Sequence, residues 1–364
     1  MTKNVEIITY FGVHNHGALL QMYALDTLIS KMGYSVDVLR FPIDYRFHDD
    51  KKAIVKYSMS IKSIPYFISF MLQRGIGLTL FNIGKKNRLD RFRKNPLFSW
   101  TEIDDNTKYD VAIIGSDEVF SIENGLTKYF WGEELHADRI CSYAGCFGPT
   151  TIQDIEKKEV TEYLRKQLSQ FAMITTRDKN SADIVQQLAG IEAEIVIDPV
   201  LLYGYKKEIE EAADKIKDKN YILVYSYDKN MNEKQDIEAI RHIAKVKNKK
   251  IYSVGFYHKW CDKNINVDPM QLLGYIKKAD YIITDTFHGS VMSIICQKDF
   301  TAKIRNNANK LEYLLSEYEL DNRMCNSLND ADAHMKQSID YSRVNHILEE
   351  RRKKAMKYLQ KLME

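Results

Sequence analysis

Two side chains of this chain, His288 and Arg177, stand where their types could do chemistry. His288 ends the stretch Tyr281-Ile-Ile-Thr-Asp-Thr-Phe-His-Gly289, in which an apolar run gives way to polar residues. An apolar helical pattern (Val291, Met292, Ile294, Ile295) follows at once. That layout puts an imidazole and a helix N-terminus at the carboxyl end of a strand, where open α/β sheets hold their ligands. Histidine titrates near neutral pH and moves a proton in either direction, although a lone histidine is more often structural. Arg177 lies in Met173-Ile-Thr-Thr-Arg-Asp178, again after a strand and before a helix. Its planar guanidinium suits bidentate binding of carboxylate or phosphate, with a surface pair to Asp178 as the plainer alternative.

Three further stretches share this build. Gly12-Val-His-Asn-His-Gly17-Ala-Leu-Leu-Gln21 follows the first strand and opens the first long helix, with Asn15 and His16 nearest a substrate. Its glycines allow close backbone approach, but it is not the dinucleotide fingerprint, and a turn with two incidental histidines explains it equally well. In Tyr109-Asp-Val-Ala-Ile-Ile-Gly115-Ser116-Asp117-Glu118, Asp117 could orient a sugar hydroxyl or act as a base. The alternative is a helix cap at Ser116 or Asp117. Tyr143-Ala-Gly-Cys-Phe-Gly148 offers Cys146, but no base accompanies it, so a small buried side chain is the better reading.

The elements that must position these residues alternate in type. Strands are expected at Val5–Thr9, Ser35–Arg40, Val111–Ile114, Ile140–Tyr143 and Met173–Thr176, then at Glu194–Ile197, Tyr221–Tyr225, Lys250–Val254 and Tyr281–Thr284. Helical patterns fall at Ala18–Met32, Ile152–Gln170, Ser181–Leu188, Lys234–Lys247, Met270–Lys277, Val291–Gln297, Leu311–Tyr318 and Ser342–Leu362. Such alternation implies parallel sheets covered by helices, an α/β protein of two Rossmann-like halves facing a cleft. The halves are expected at 1–205 (acceptor side) and 206–341 (donor side), with 342–364 as a last helix packing back across the first. Residues 54–94 interrupt the pattern: an apolar stretch (Ile64, Phe67, Ile68, Phe70, Met71, Leu72, Ile76, Leu78, Leu80, Phe81) precedes a basic one (Lys85, Lys86, Arg88, Arg91, Arg93, Lys94). An insertion packed on the first domain is the preferred reading, and a helix lying on an anionic membrane surface through 64–94 is the alternative.

Bulk properties narrow the classes. Of 364 residues, 45% are hydrophobic and 28% charged, ordinary for a soluble globular protein long enough for two cores. A net charge of +3 from 53 basic and 50 acidic residues gives no case for nucleic-acid binding. Five cysteines without a Cys-x-x-Cys pair, and no histidine cluster, point to a reduced cytoplasmic protein with neither structural metal nor cofactor. The N-terminus reads as a strand and lacks a signal-peptide core, and no apolar run reaches a membrane-spanning length.

The ordered series of motifs resembles the polysaccharide pyruvyl transferase family. It runs Gly12-x-x-Asn15-x-Gly17-Ala18-x-Leu20-Gln21, Gly115-Ser116-Asp117, Tyr143-Ala144 to Phe147-Gly148, Arg177-Asp178, Asp198-Pro199 and Phe287-His288-Gly289. The resemblance covers about residues 8 to 325 and implies a GT-B-like fold, two Rossmann-like domains around a deep cleft. It implies transfer of the pyruvyl group of phosphoenolpyruvate to two hydroxyls of a lipid-linked or polysaccharide-borne sugar, giving a cyclic ketal and phosphate in surface polysaccharide synthesis. On this reading His288, Asp117 and His16 carry the chemistry. Arg177, Thr286, Gly289, Ser290, Arg305 and Lys310 hold the donor anion, with Lys303 a further candidate; Asn15, Gly17, Gln21 and Ser116 meet the acceptor sugar. The chain departs from the family pattern in three places. Glu118 and Phe120 stand where many members have Gln and Trp, Thr286 replaces the usual Ser, and Lys310 occupies the place of an Arg. Two other readings are a nucleotide-sugar glycosyltransferase of the same fold and a non-catalytic saccharide-binding protein. The first is disfavoured because Ser290-Val-Met-Ser-Ile-Ile-Cys-Gln297 offers no acid to hold a ribose.

Overall fold

A computed structural model describes residues 3–41, 75–94, 99–102, 107–123, 125–305 and 309–364. Short runs that are apolar on both faces become the strands of two parallel sheets. The first sheet contains β1 (Asn4–Ile8), β2 (Ser35–Arg40), β3 (Trp100–Glu102), β4 (Tyr109–Ile114), β5 (Ala137–Gly145), β6 (Met173–Thr176) and β7 (Glu194–Ile195), in the order β3-β2-β1-β4-β5-β6-β7. The second contains β8 (Tyr221–Tyr225), β9 (Lys250–Val254), β10 (Lys263–Ile265), β11 (Tyr281–Thr284), β12 (Phe300–Lys303) and β13 (Met324–Cys325), in the order β10-β9-β8-β11-β12-β13. Each order reverses once, between β1 and β4 and between β8 and β11. Ligands of doubly wound sheets sit beyond the strand ends at such points.

Alternation along the strands explains the layering. Val5 and Ile7 of β1, Val111 and Ile113 of β4, and Tyr221, Leu223 and Tyr225 of β8 enter one large apolar cluster that is continuous between the two sheets. Ile8 and Ile114 face a second cluster with Phe120, Trp131 and Phe147, while Ile222 and Val224 face a third with Ile240 and Ile283. Strands buried on both faces need helices on both, as parallel sheets do generally.

Three helices of the first domain start just after strands of its sheet or the turns that follow them. α1 (His16–Lys31) follows β1, α5 (Lys179–Ala189) follows β6, and α6 (Pro199–Tyr203) follows β7. Between α1 and α5 come α2 (Ile76–Arg93), α3 (Ile152–Lys157) and α4 (Thr161–Leu168). Beyond α6 come α7 (Lys206–Asp214), α8 (Lys234–Val246), α9 (Pro269–Lys278), α10 (Phe287–Ile295), α11 (Asn309–Glu317), α12 (Ala331–Met335) and α13 (Tyr341–Met363). The last of these lies against the first domain: Arg352 donates to Leu201 O at 2.8 Å, and Lys3 Nζ donates to Met363 O at 2.7 Å.

Several boundaries differ from the sequence reading. The helix expected over 152–170 is two, because Glu159 adopts a left-handed φ of 57° and turns the chain so that Val160 and Leu164 both reach the core. The strand expected over 194–197 pairs only at Glu194–Ile195, since Asp198 then caps α6 by accepting from Val200 N at 2.9 Å. Strands β3, β10 and β13, of two or three residues, carried too short a pattern to be recognised, and the four-residue β12 was not expected either. Residues 64–72 of the apolar stretch lie outside the described residues. The remainder, α2, leans on both domains rather than on the first alone. Leu89 and Phe92 join the large cluster, whereas Asn266 of the second domain donates to Phe81 O at 2.9 Å. Two glycines permit that approach: a Cβ at Gly77 would lie 2.4 Å from Tyr257 Oη, and one at Gly84 would lie 2.8 Å from Asn266 Nδ2. Among the described residues no helix is long and apolar enough to cross a membrane.

One feature of the first sheet makes stability depend on pH. Glu6 of β1 and Asp26 of α1 are buried, and burial together with the Asp37 charge pushes each carboxyl up to about 7. The fold therefore favours their protonated forms. Their stabilising contribution is full below the ordinary carboxylate range and is lost as pH rises through about 7. Glu6→Gln should raise the melting temperature at pH 8.5, by about 1 to 3 kcal/mol of stability, and leave it nearly unchanged at pH 4.5. A thermal melt series from pH 4.5 to 8.5 tests this, and an equal effect at both ends would refute it.

Candidate active site

The switch points of the two sheets face each other across a cleft of about 280 Å³. Tyr10, Val13, Asn15, Ala18, Asp117 and Glu118 line it from the first domain, and Tyr225, Tyr227, Phe256, Asp285, Thr286, Phe287, His288 and Lys310 from the second. Two helix N-termini converge here. Asn15 Oδ1 caps α1 by accepting from Gly17 N at 2.9 Å, and Thr286 Oγ1 caps α10 by accepting from Gly289 N at 2.9 Å. Each cap fixes where its helix starts and so where Asn15 and His288 stand. The same cleft opens into an outer groove of about 760 Å³, where Glu118, Glu123 and Pro149 face Tyr227, Lys229, Asn230, Glu233, Lys303, Arg305 and Lys310.

Charge is organised around one buried carboxylate. Asp198, which follows β7, accepts from Arg177 Nη1 at 3.0 Å and lies 3.6 Å from His288 Nε2 across the domain boundary. Burial alone would raise this carboxyl. The nearby His288 imidazole, the Arg177 charge and the Val200 N–H outweigh that and hold it below the usual carboxylate range. Arg177 also approaches Asp117 at 3.6 Å and stacks its guanidinium 4.2 Å from the centre of the Phe287 ring. Arg177 Nε and Nη2, His288 Nε2 and Ser290 Oγ are buried without a hydrogen-bond partner among the described residues. An anion could accept from such donors.

The two domains interlock through a histidine and a glycine from each. A Cβ at Gly17 would lie 2.3 Å from His288 Cγ and 2.4 Å from its Nδ1. A Cβ at Gly255 would lie 2.8 Å from His16 Cε1. Each ring thus occupies space that only glycine leaves open.

The candidates named from the sequence separate by position. Asn15, Asp117, Thr286, His288 and Lys310 line the cleft; Arg177 lies behind Asp117 and Phe287, and Gly17 seats the His288 ring. Arg305 lines the outer groove, paired with Asp285 at 2.8 Å, and Gly289 N is taken by the Thr286 cap. Three candidates stand elsewhere. His16 is fully buried against Val267 O at 3.0 Å, and burial with the Lys85 charge pushes its imidazole down to about 3, so it is a poor base. Gln21 accepts from Ser116 N and Oγ and donates to Thr9 Oγ1, which makes Gln21 and Ser116 a buried brace beneath the first switch point and not sugar ligands. Lys303 lines the outer groove and is bound to Asp236 at 2.6 Å. Cys146 donates to Asp178 at 3.0 Å with its thiol pushed up to about 12, a structural role. Sequence reasoning missed Tyr225, Tyr227, Phe256, Asp198 and Asp285 as site residues. Tyr225 and Asp285 stand at strand ends, and that rule applied to every strand would have found them.

Another hollow, of about 720 Å³, lies between β7, α11 and α13. Two pairs of its charges bind each other, Arg351 with Glu317 and Lys354 with Glu194.

Two facing doubly wound sheets with a polar cleft between their strand ends define a GT-B-like protein. Two solved structures agree in fold. UDP-N-acetylglucosamine 2-epimerase from Rickettsia bellii aligns with a TM-score of 0.52 at 10% identity, covering 99% of this chain and 97% of its own. UDP-GlcNAc 2-epimerase from Methanocaldococcus jannaschii aligns with a TM-score of 0.51 at 10% identity, covering 93% of each chain. The glycosyltransferase SnogD from Streptomyces nogalater covers 100% of both chains at 10% identity with a TM-score of 0.43. No curated protein matches in sequence. The family model for polysaccharide pyruvyl transferase matches residues 15–303, and the chain belongs to that family.

The glycine notch gives a direct test of the interlock. Gly17→Ala should destabilise the protein by about 1 to 3 kcal/mol, as overpacking does. It should also displace His288, which a crystal structure of the variant would show. An unchanged urea midpoint with His288 in place would mean that the ring does not need the notch.

Proposed function

We propose that this protein transfers the pyruvyl group of phosphoenolpyruvate onto two hydroxyls of a sugar, forming a cyclic ketal and releasing phosphate. The observation that carries the reading is the convergence on one cleft of His288, Lys310 and two helix N-termini, with the Arg177 guanidinium behind the Asp117 and Phe287 wall, in a chain of the pyruvyl transferase family. The donor is a small, highly charged anion, and helix N-termini with an arginine favour such a ligand. Apolar rings of Phe256, Phe287 and Tyr225 enclose the same space. In α10, from Phe287 to Ile295, there is no carboxylate to hold a ribose, which argues against a nucleotide-sugar donor.

The proposed chemistry follows from these placements. His288 gives a proton to the methylene carbon of the enol, which leaves the central carbon electrophilic. Asp117, at the cleft wall 3.6 Å from Arg177, takes the proton of the attacking hydroxyl. The bond to phosphate then breaks, the second hydroxyl adds to the same carbon, and its proton leaves with the phosphate. One hydroxyl proton thus replaces the proton placed on carbon, and no water is consumed. Arg177 and Lys310 hold carboxylate and phosphate through this sequence. The outer groove receives the acceptor.

We further propose that the acceptor is lipid-linked and that α2 rests on the membrane bearing it. Ile76, Leu80 and Ile83 are exposed on one stripe of α2, which continues through Asn87, Arg91 and Lys94, with Arg88 beside it. An apolar stripe leading into a basic one fits an anionic lipid surface. Leu80→Glu with Ile83→Glu should lower co-sedimentation with vesicles of mixed neutral and anionic lipid while leaving donor affinity unchanged. Equal sedimentation of variant and parent would remove the membrane from the proposal.

The donor is tested by calorimetric titration with phosphoenolpyruvate beside a panel of nucleotide sugars. Saturable binding of phosphoenolpyruvate alone is expected. Arg177→Ala should weaken it by about 2 to 5 kcal/mol, as loss of a buried charge partner does. His288→Ala should keep donor binding and lose phosphate release. Binding of a nucleotide sugar instead would overturn the reading.

A further inference from the structure

The cations around the cleft are already matched by carboxylates. Arg177 is held by Asp198 at 3.0 Å and faces Asp117 at 3.6 Å, Arg305 is held by Asp285 at 2.8 Å, and Lys310 is held by Glu118. A donor bearing carboxylate and phosphate cannot settle there unless at least one carboxylate gives way, because like charges at these distances repel by several kcal/mol in a low-dielectric site. The structure distinguishes which one can.

Asp198 is buried, caps α6 and lies against two partners, so moving it would strand a charge in the core. Asp285 is equally enclosed; its carboxylate also accepts from Asn230 Nδ2 at 2.8 Å. Asp117 has a shorter side chain, 16% exposed, that faces the buried Arg177. Glu118 is the least enclosed of the four. Its side chain is 29% exposed, and Lys310, itself 26% exposed, is its one salt-bridge partner among the described residues. Glu118 lines both the inner cleft and the outer groove, so a rotation about its side-chain bonds carries the carboxylate from one to the other. Gly148 keeps that space open: a Cβ there would lie 2.9 Å from the Glu118 carboxyl carbon.

Resting on the proposed donor, we infer that Glu118 is an exchangeable internal counter-ion. It holds Lys310 in place when the cleft is open, and the anionic group of the donor displaces it from Lys310 on binding. The pair therefore sets donor affinity and keeps weaker anions out. A monoanion gains too little from Lys310 to offset the lost Glu118 contact, whereas a ligand with two anionic groups gains from Arg177 and Lys310 together.

Glu118→Gln keeps the size of the side chain and removes its charge. Titration of the purified variant with phosphoenolpyruvate should show affinity raised roughly tenfold over the parent, and inorganic phosphate should gain at least as much. Adding Lys310→Met to Glu118→Gln should abolish the gain, which ties it to the pair and not to the net charge of the protein. An affinity unchanged or lowered in Glu118→Gln, in a variant with the parent's melting temperature, overturns the counter-ion. If Glu118→Gln is unstable, Glu118→Ala in the same two titrations decides the question, with the same gain expected. Failure of the parent to bind phosphoenolpyruvate would count against the proposed donor instead. The phosphate titrations of parent and variants would then judge the counter-ion independently.

Discussion

The contact on which the cleft depends is the one made by the buried carboxylate of Asp198. It joins Arg177, at the end of β6, to His288, at the start of α10 in the other domain, and it fixes the first turn of α6. A buried carboxylate is tolerable only when its neighbours supply charge and hydrogen bonds, and here those neighbours are an arginine of one domain and a histidine of the other. Asp198 therefore does not simply decorate the site. Its need for partners forces an arginine from one sheet and a histidine from the other to within hydrogen-bonding or ion-pair distance of the same oxygen.

Interdomain spacing follows from the same demand. For His288 to reach Asp198, the N-terminus of α1 must pass close by, and Gly17 makes that passage possible. The reciprocal contact, His16 against Gly255, reproduces the arrangement from the opposite direction and lies behind the cleft. A large apolar cluster running through both domains, with α2 and α13 laid across the junction, holds this spacing. The result is a narrow cleft with aromatic walls, in which electrostatic interactions are stronger than they would be in open solvent.

How much of this was legible in the sequence depended on the range of the determining interaction. Strand and helix patterns of the two sheets are local, so Tyr221–Tyr225, Tyr281–Thr284 and the glycine turn before α1 were readable as elements, and two Rossmann-like halves followed from their alternation, with the GT-B-like class implied by the family resemblance. Asn15, Arg177 and His288 could be singled out because each stands where a strand gives way to a helix. His16 and Gln21 share that turn with Asn15, yet they point into the domain junction and the protein interior. A helical turn faces several directions, and only the packed partner decides which residue meets the cleft. Asp198 was visible as a motif but not as a hub, because its partners lie 21 and 90 residues away along the chain. Short edge strands such as β13 escaped notice for a related reason: two residues carry no period.

Glu118 and Lys310, which come from different domains, are in contact with each other. A carboxylate here faces a compact ammonium on a flexible stem. The total charge of the pair is zero, and the Lys310 ammonium has a partner that raises its affinity for its proton. Neither charge makes sense alone. A free glutamate at the cleft mouth would repel any anion, and a lysine without a counter-ion beside Arg177 would carry an unbalanced charge in a partly buried place. Together they keep the cleft close to neutral and, on the proposed function, leave the cation within reach of the donor.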